Sequence, residues 1–316
     1  MKHKMLKSAV LLDLKTLGDD IDLSTLRELF DCWQDYELCD PTQIIARCQH
    51  ADVIITNKVV LSRETLIKLP KLKLIAVTAT GTNNIDIDGA KELGIGVINV
   101  EGYGARSVAQ HTFSLLLQLT NRTTPYQKFM REGGWQQSEF FSHLDFPMLE
   151  LAGKNFGILG FGASGQLSAK LAQAFGMKLL IAERPGAVDI RDERVSFEQM
   201  LAHSDVVSLH CPLTSDTDQV INQQTLKLMK PSALLINTAR GGLINDADLV
   251  SALSNNIIAG AALDVLTTEP PTQGNCLLDY QGDNLVVTPH IAWATVDARR
   301  RLVTMLGQNI SHFFEQ

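Results

Sequence analysis

Three polar residues stand where three apolar runs end: Arg240 after ALLINTA, Glu269 shortly after IIAGAALDVL, and His290 after NLVVTP. If those runs are parallel strands of one sheet, their carboxyl ends share an edge, and open α/β sheets bind ligands beyond that edge. An arginine fork suits a substrate carboxylate or the carbonyl beside it. Imidazole titrates near neutrality and suits general acid–base work. A carboxylate on the other ring nitrogen fixes the tautomer and favours the protonated ring. Singly, such residues are more often a surface charge, a loop acid and a turn histidine. On adjacent strands they read as a set that moves a proton next to an anionic substrate.

A phosphate cradle accompanies them. Gly160-Phe161-Gly162-Ala163-Ser164-Gly165 follows the strand NFGIL and opens the helix QLSAKLAQAF. Gly160 permits the tight turn, Gly162 lets backbone approach a pyrophosphate, and Gly165 allows close helix–strand packing. A lone GxGxxG is a weak signal, but here Glu183 closes the next strand, MKLLIAE, 18 positions after Gly165. An acid there accepts a hydrogen bond from a ribose 2′-hydroxyl and repels a 2′-phosphate, so NAD is the expected cofactor. Arg184 beside it is able to hold a phosphate, which keeps NADP as the alternative.

Other polar residues carry less. Asp264 lies inside an apolar strand and needs a partner, either a nicotinamide carboxamide or a neighbouring backbone amide. His210 and Cys211, before Pro212, read as chain geometry beside the adenosine. His111, in an apolar helix, reads as a satisfied core histidine. The stretch Thr78–Asn84 follows a strand, and Gly81 with its neighbouring amides is either a holder of a substrate carboxylate across an interdomain cleft or an ordinary turn.

The elements that must position these groups alternate throughout. Strand candidates Ala9–Asp13, Asp52–Thr56, Leu74–Thr78 and Gly96–Val100 are followed by a buried helix, SVAQHTFSLLLQLT. A second series follows at Asn155–Leu159, Lys178–Ala182, Val206–His210, Ala233–Asn237, Ile258–Leu263 and Asn284–Thr288. Short continuous apolar runs between helical patterns indicate parallel sheets covered on both faces. The expected fold class is therefore α/β with two doubly wound parallel-sheet domains, a Rossmann nucleotide domain at 103–288 inserted into a flavodoxin-like substrate domain at 1–102 and 289–316. The segment from Trp135 through Phe140, Phe141, Phe146 and Pro147 places large apolar groups outside any obvious element, which suits a subunit contact.

Composition agrees. The 316 residues favour two domains, and 35 acidic against 28 basic residues argue against a nucleic-acid or anionic-membrane partner. The basic start, MKHKMLKSAVLLDLKT, is interrupted by Asp13 and reads as a first strand, not a leader. Five cysteines without a CxxC pair argue against a metal site or a disulfide framework and fit a reducing, cytoplasmic setting.

The segments ATGTNNID, SVAQHTFSLLL, GILGFGASG, HCPLT, LLINTARGGLI, AALDVLTTEPP and TPHIAWAT resemble the D-isomer-specific 2-hydroxyacid dehydrogenases, and most of all their glycerate dehydrogenase/hydroxypyruvate reductase branch. The resemblance implies hydride transfer between NAD(H) and a small 2-hydroxy or 2-keto acid such as D-glycerate/hydroxypyruvate or glyoxylate, with Arg240, Glu269 and His290 catalytic. It further implies Thr80 and Gly81 on the substrate side, and Ala163, Ser164, Glu183, Cys211, Pro212, Thr238, Ala239 and Asp264 at the cofactor, in a homodimer. Two departures stand out: many relatives carry Arg or Lys where this chain has Ala163-Ser164, and often Glu where it has Gln110. Trp293 favours a small substrate. The alternative is a non-enzymatic NAD(H)-sensing binding protein on the same scaffold; the intact Arg–Glu–His set favours the enzyme. Formate oxidation is disfavoured, because those relatives pair the His with Gln.

Overall fold

Central strands of this chain are β-branched and leucine-rich on both faces, and that dictates sheets sandwiched between helices. The computed structural model describes residues 6–315. The basic start expected to form a first strand falls partly on Met1–Met5, which lie outside the described residues, as does Gln316. Two compact units are present, one formed by residues 1–104 with 294–316 and the other by 105–293.

The first unit holds a five-stranded parallel sheet of β1 (Leu6–Leu11), β2 (Phe30–Asp35), β3 (Val53–Thr56), β4 (Leu74–Val77) and β5 (Gly96–Ile98). Its order, β2-β1-β3-β4-β5, is the flavodoxin-like one. Strand β2, FDCWQD, is not among the strands expected from apolar runs: it is an edge strand that buries only Phe30 and alternates with polar residues. The closing helix Val296–Glu315 buries Ala298, Leu302, Val303, Leu306 and Ile310, a 3.6-residue stripe.

The second unit carries β6 (Asn155–Leu159), β7 (Lys178–Ala182), β8 (Val206–Leu209), β9 (Leu234–Asn237), β10 (Gly260–Leu263) and β11 (Leu285–Val287). The sheet runs β11-β10-β9-β8-β6-β7, all parallel. A single bridged residue, Val195 beside Ala182, stands outside β7 as a vestigial strand. Counting it, the strand order from that edge reads 3-2-1-4-5-6 and onward, the Rossmann order. The order reverses between β6 and β8, so a crevice opens beyond their carboxyl ends.

Alternate residues feed two cores. Phe156, Ile158, Val206, Leu234, Ile236 and Ala262 face the helices Ala105–Thr120 and Ala163–Ala174, while Val207, Leu209, Leu235, Ala261 and Leu263 face the opposite layer. Phe113 stacks on Phe156 at 5.8 Å and on Phe175 at 5.4 Å. The unit boundaries fall at 104/105 and 293/294, whereas the sequence pattern divides the chain at 102/103 and 288/289. His290 consequently belongs to the second unit, because its segment is hydrogen-bonded to Asp264 at the end of β10.

Phe156 is fully buried, so Phe156→Ala is expected to lower unfolding free energy by about 3–5 kcal/mol. Urea unfolding followed by circular dichroism measures this.

Candidate active site

Strands β9, β10 and β11 are neighbours and parallel, so the residues that follow them leave the sheet at one edge. The turn after β9 is shaped by buried Asn237, whose Oδ1 accepts from Ala239 N at 3.0 Å and whose Nδ2 donates to Arg240 O at 2.8 Å. The Arg240 guanidinium donates to Ala239 O at 2.7 Å. A Cβ on Gly241 would collide with the backbone of Leu266 and Thr267, so the chain beyond Arg240 is pressed against the loop that carries Glu269. Glu269 Oε1 accepts from Leu266 N at 2.9 Å, and its Oε2 lies 2.6 Å from His290 Nδ1. With Nδ1–H committed to the carboxylate, Nε2 is the ring nitrogen left to meet a substrate.

His290 adopts φ +53°, a left-handed conformation uncommon for a side-chain-bearing residue, and such strain is held only where the surroundings enforce it. Here they do. His290 N donates to Asp264 O at 2.7 Å, Ile291 N to Asp264 Oδ1 at 2.9 Å and Ala292 N to Asp264 Oδ2 at 2.7 Å. Thr288 Oγ1 donates to the same Oδ1 at 2.5 Å, and His111 Nε2 lies 3.0 Å from that hydroxyl. Burial on its own raises the Asp264 carboxyl, but bonds from His111, Thr288 and the two amides outweigh it and hold the group below the usual carboxylate range. Backbone amides are one of the two partners expected for Asp264, and Ile291 N and Ala292 N fill that place. The indole of Trp293 donates to His290 O at 3.0 Å.

At the switch point, Gly160 has φ +94°, and a Cβ there would strike the backbone of His210 and Cys211. Gly165 similarly faces Gly160 O and His210 Cβ. The helix Ala163–Ala174 begins at Gly162, which offers no side-chain cap and has open space around its Cα. Its first N–H groups, on Ala163, Ser164 and Gly165, thus point outward with the positive end of the helix dipole, which is what a pyrophosphate needs. These residues fit a dinucleotide. Glu183 closes β7 as expected, but Arg191 grips it: Nε donates to Oε2 at 2.6 Å and an Nη to Oε1 at 2.5 Å. That bond, foremost, draws the Glu183 carboxyl down to about 2. Cys211 is buried, which pushes its thiol up to about 11. Pro212 O accepts from Thr217, and Thr238 Oγ1 pairs with Thr112 Oγ1 at 3.0 Å.

Thr80 and Gly81 follow β4 in the first unit, where Thr80 Oγ1 donates to Val100 O at 3.0 Å. On the helix Ala105–Thr120, Ser107 and Thr112 go beyond what the sequence pattern singles out. Ser107 donates to Ala292 O at 2.6 Å, His111 meets Thr288, and Thr112 meets Thr238. Three polar residues at 107, 111 and 112 within an apolar helix are the signal that points there, since buried polar groups demand partners. His111 is satisfied, as expected, but by the loop that bears His290.

A Rossmann sheet with a dinucleotide cradle at its switch point, and an Arg, a Glu–His pair and a buried Asp along one strand edge, defines a nicotinamide-dependent oxidoreductase. The family model described as "D-isomer specific 2-hydroxyacid dehydrogenase, NAD binding domain" matches residues 113–292. The glycerate dehydrogenase of Methylorubrum extorquens is 42% identical, covering 98% of this chain and 96% of its own. The hydroxypyruvate reductase of Blautia hydrogenotrophica is 37% identical over 94% and 93%. Among solved structures, the D-lactate dehydrogenase of Aquifex aeolicus complexed with NAD and lactic acid superimposes with a TM-score of 0.79 at 27% identity, covering 98% and 95%. The chain belongs to the D-isomer-specific 2-hydroxyacid dehydrogenases, and its second unit contains their NAD-binding domain.

Beside the cradle, burial lowers His210 to about 4, and its Nδ1 has no partner. Between pH 6.5 and 4 the unfolded chain takes up a proton that the folded chain refuses, so stability falls as pH drops through that window. The loss is about 3 kcal/mol. Urea unfolding at pH 7 and 4.5 should show it, and His210→Asn should flatten the slope.

Proposed function

We propose that this enzyme reduces a small 2-keto acid to the D-2-hydroxy acid, with hydroxypyruvate and glyoxylate as the preferred substrates. The observation that carries the reading is the 2.6 Å contact between His290 Nδ1 and Glu269 Oε2 at the same sheet edge as Arg240. A nicotinamide dinucleotide held at the helix start Ala163–Gly165 would supply the hydride for the carbonyl carbon. Arg240 clamps the substrate carboxylate and polarises the adjacent carbonyl. Protonated His290 donates from Nε2 to the carbonyl oxygen as it becomes the hydroxyl. Glu269 keeps the ring oriented and stabilises its charge throughout. Trp293, fixed by its bond to His290 O, presents a bulky wall that favours short substrates. The names of the bacterial relatives support the same substrate class.

The functional assembly is proposed to be a homodimer. Tyr126 and Phe129 anchor the segment after the helix Thr123–Arg131, with Phe129 stacked on His143 at 3.8 Å and Tyr126 donating to His143 O and Phe146 O. Yet Phe140 and Phe141 remain 73% and 92% exposed, joined by Leu144 and Met148. An apolar cluster of that kind suits a partner surface. Five unpaired cysteines support a reducing, cytoplasmic setting, and among the described residues no helix is long and apolar enough to cross a membrane.

Steady-state assays with NADH should show turnover of hydroxypyruvate and glyoxylate; failure with every 2-keto acid tried would refute the reading. His290→Ala is expected to lower kcat by about 10²–10⁴-fold while NADH affinity, measured by fluorescence titration, stays nearly constant. Equal losses in both would contradict the proton-donor role. For the assembly, Phe140→Asp with Phe141→Asp should shift the sedimenting species from dimer to monomer.

A further inference from the structure

Glu183 occupies the position at which a Rossmann acid meets the adenosine ribose, but in this chain that acid is not bare. Arg191 holds both carboxylate oxygens through two parallel bonds, at 2.6 and 2.5 Å. Arg184 N adds a bond to Oε1 at 3.2 Å, and the Arg194 guanidinium stands 3.9 Å from the same oxygen. The loop 184–194 is pinned back onto β7, with Val195 N donating to Ile181 O and Glu183 N to Val195 O. Arg194 donates to Ala182 O at 3.3 Å, which fixes the end of that loop. Glu183 is buried, at 5% exposure, while the Arg191 side chain above it is 62% exposed. The loop's acids, Asp189, Asp192 and Glu193, are exposed, and among the described ion pairs they take none of these arginines.

A naked carboxylate repels a 2′-phosphate. A carboxylate bridged by an arginine has its charge cancelled, and with the Nε–Nη edge of Arg191 taken by Glu183, what a ribose substituent then meets is the outer Nη edge, whose N–H donors suit a phosphate. We propose that Arg191, not Arg184, sets which adenosine 2′-substituent the chain accepts: by masking Glu183 and offering its own exposed guanidinium, it admits NADPH as well as NADH. The inference rests on the nucleotide assignment of this unit and deepens it. Arg191 acts in two ways, as the counter-ion of Glu183 with a 2′-hydroxyl and as a phosphate ligand with a 2′-phosphate. A lysine at this position would keep the charge and lose the fork.

Fluorescence titration of the full chain with NADH and with NADPH, in the absence of keto acid, tests the proposal. The wild type should bind both, with dissociation constants within about tenfold of each other. Arg191→Ala unmasks Glu183 and should weaken NADPH binding by about tenfold or more while NADH changes by less than about threefold. Adding Glu183→Gln to Arg191→Ala should recover part of the lost NADPH affinity, because the unmasked charge is then gone. Arg191→Lys should fall between wild type and Arg191→Ala for NADPH, and it decides the matter if the alanine variant fails to fold. A wild type that binds NADH but not NADPH, or variants that weaken both cofactors alike, would overturn this inference alone. A wild type that binds neither would instead overturn the nucleotide assignment.

Discussion

A carboxylate taken out of water must be bonded on every side, and Asp264 at the end of β10 obeys that rule by gathering the chain around itself. Thr288, Ile291 and Ala292 all donate to it, and its own carbonyl accepts from His290 N. Leaving such a charge unpaired costs about 3–5 kcal/mol, more than the about 1–3 kcal/mol of left-handed backbone at His290. Solvation of the acid therefore overrides backbone preference: segment 288–292 curls about Asp264, and the imidazole emerges facing Glu269. Desolvation of Asp264 thus sets the orientation of His290.

The rest of the second unit serves the same edge. Parallel pairing delivers the residues after β9, β10 and β11 side by side, and glycines bring the intervening backbones into contact. Gly160 and Gly241 are both places where a methyl group would strike a neighbouring main chain. One such approach lies at the cradle and the other next to Arg240, so both turns are built by backbone proximity that any side chain would prevent.

Much of this is legible from residue types alone. Buried central strands announce themselves as apolar runs, and Arg240, Glu269 and His290 stand out because each punctuates one. Edge strand β2 does not, since a strand that buries only Phe30 has no apolar run to show. The contact boundary at 293/294 differs from the division read near 288 for a different reason: strand ends are visible in sequence, but hydrogen bonds reaching forward from Asp264 to residues 290–292 are not. Arg184 draws notice ahead of Arg191 because it adjoins Glu183 in sequence, and adjacency in sequence is not adjacency in a loop that folds back on β7. His111 reads as a satisfied core histidine, and only the segments after β9 and β11 reveal what it, Ser107 and Thr112 reach.

The helix Ala105–Thr120 has two working sides. One bears Ser107, His111 and Thr112, bonded to the ends of β9 and β11. The other, with Arg106, Gln110, Ser114 and Leu117, borders an open groove of about 690 Å³ whose far wall is Leu167, Lys170 and Leu171. A stiff rod cannot shift on one side without shifting on the other. A single thickness of helix thus separates that groove from the segment around His290, with Thr288 and Ala292 held on its inner side.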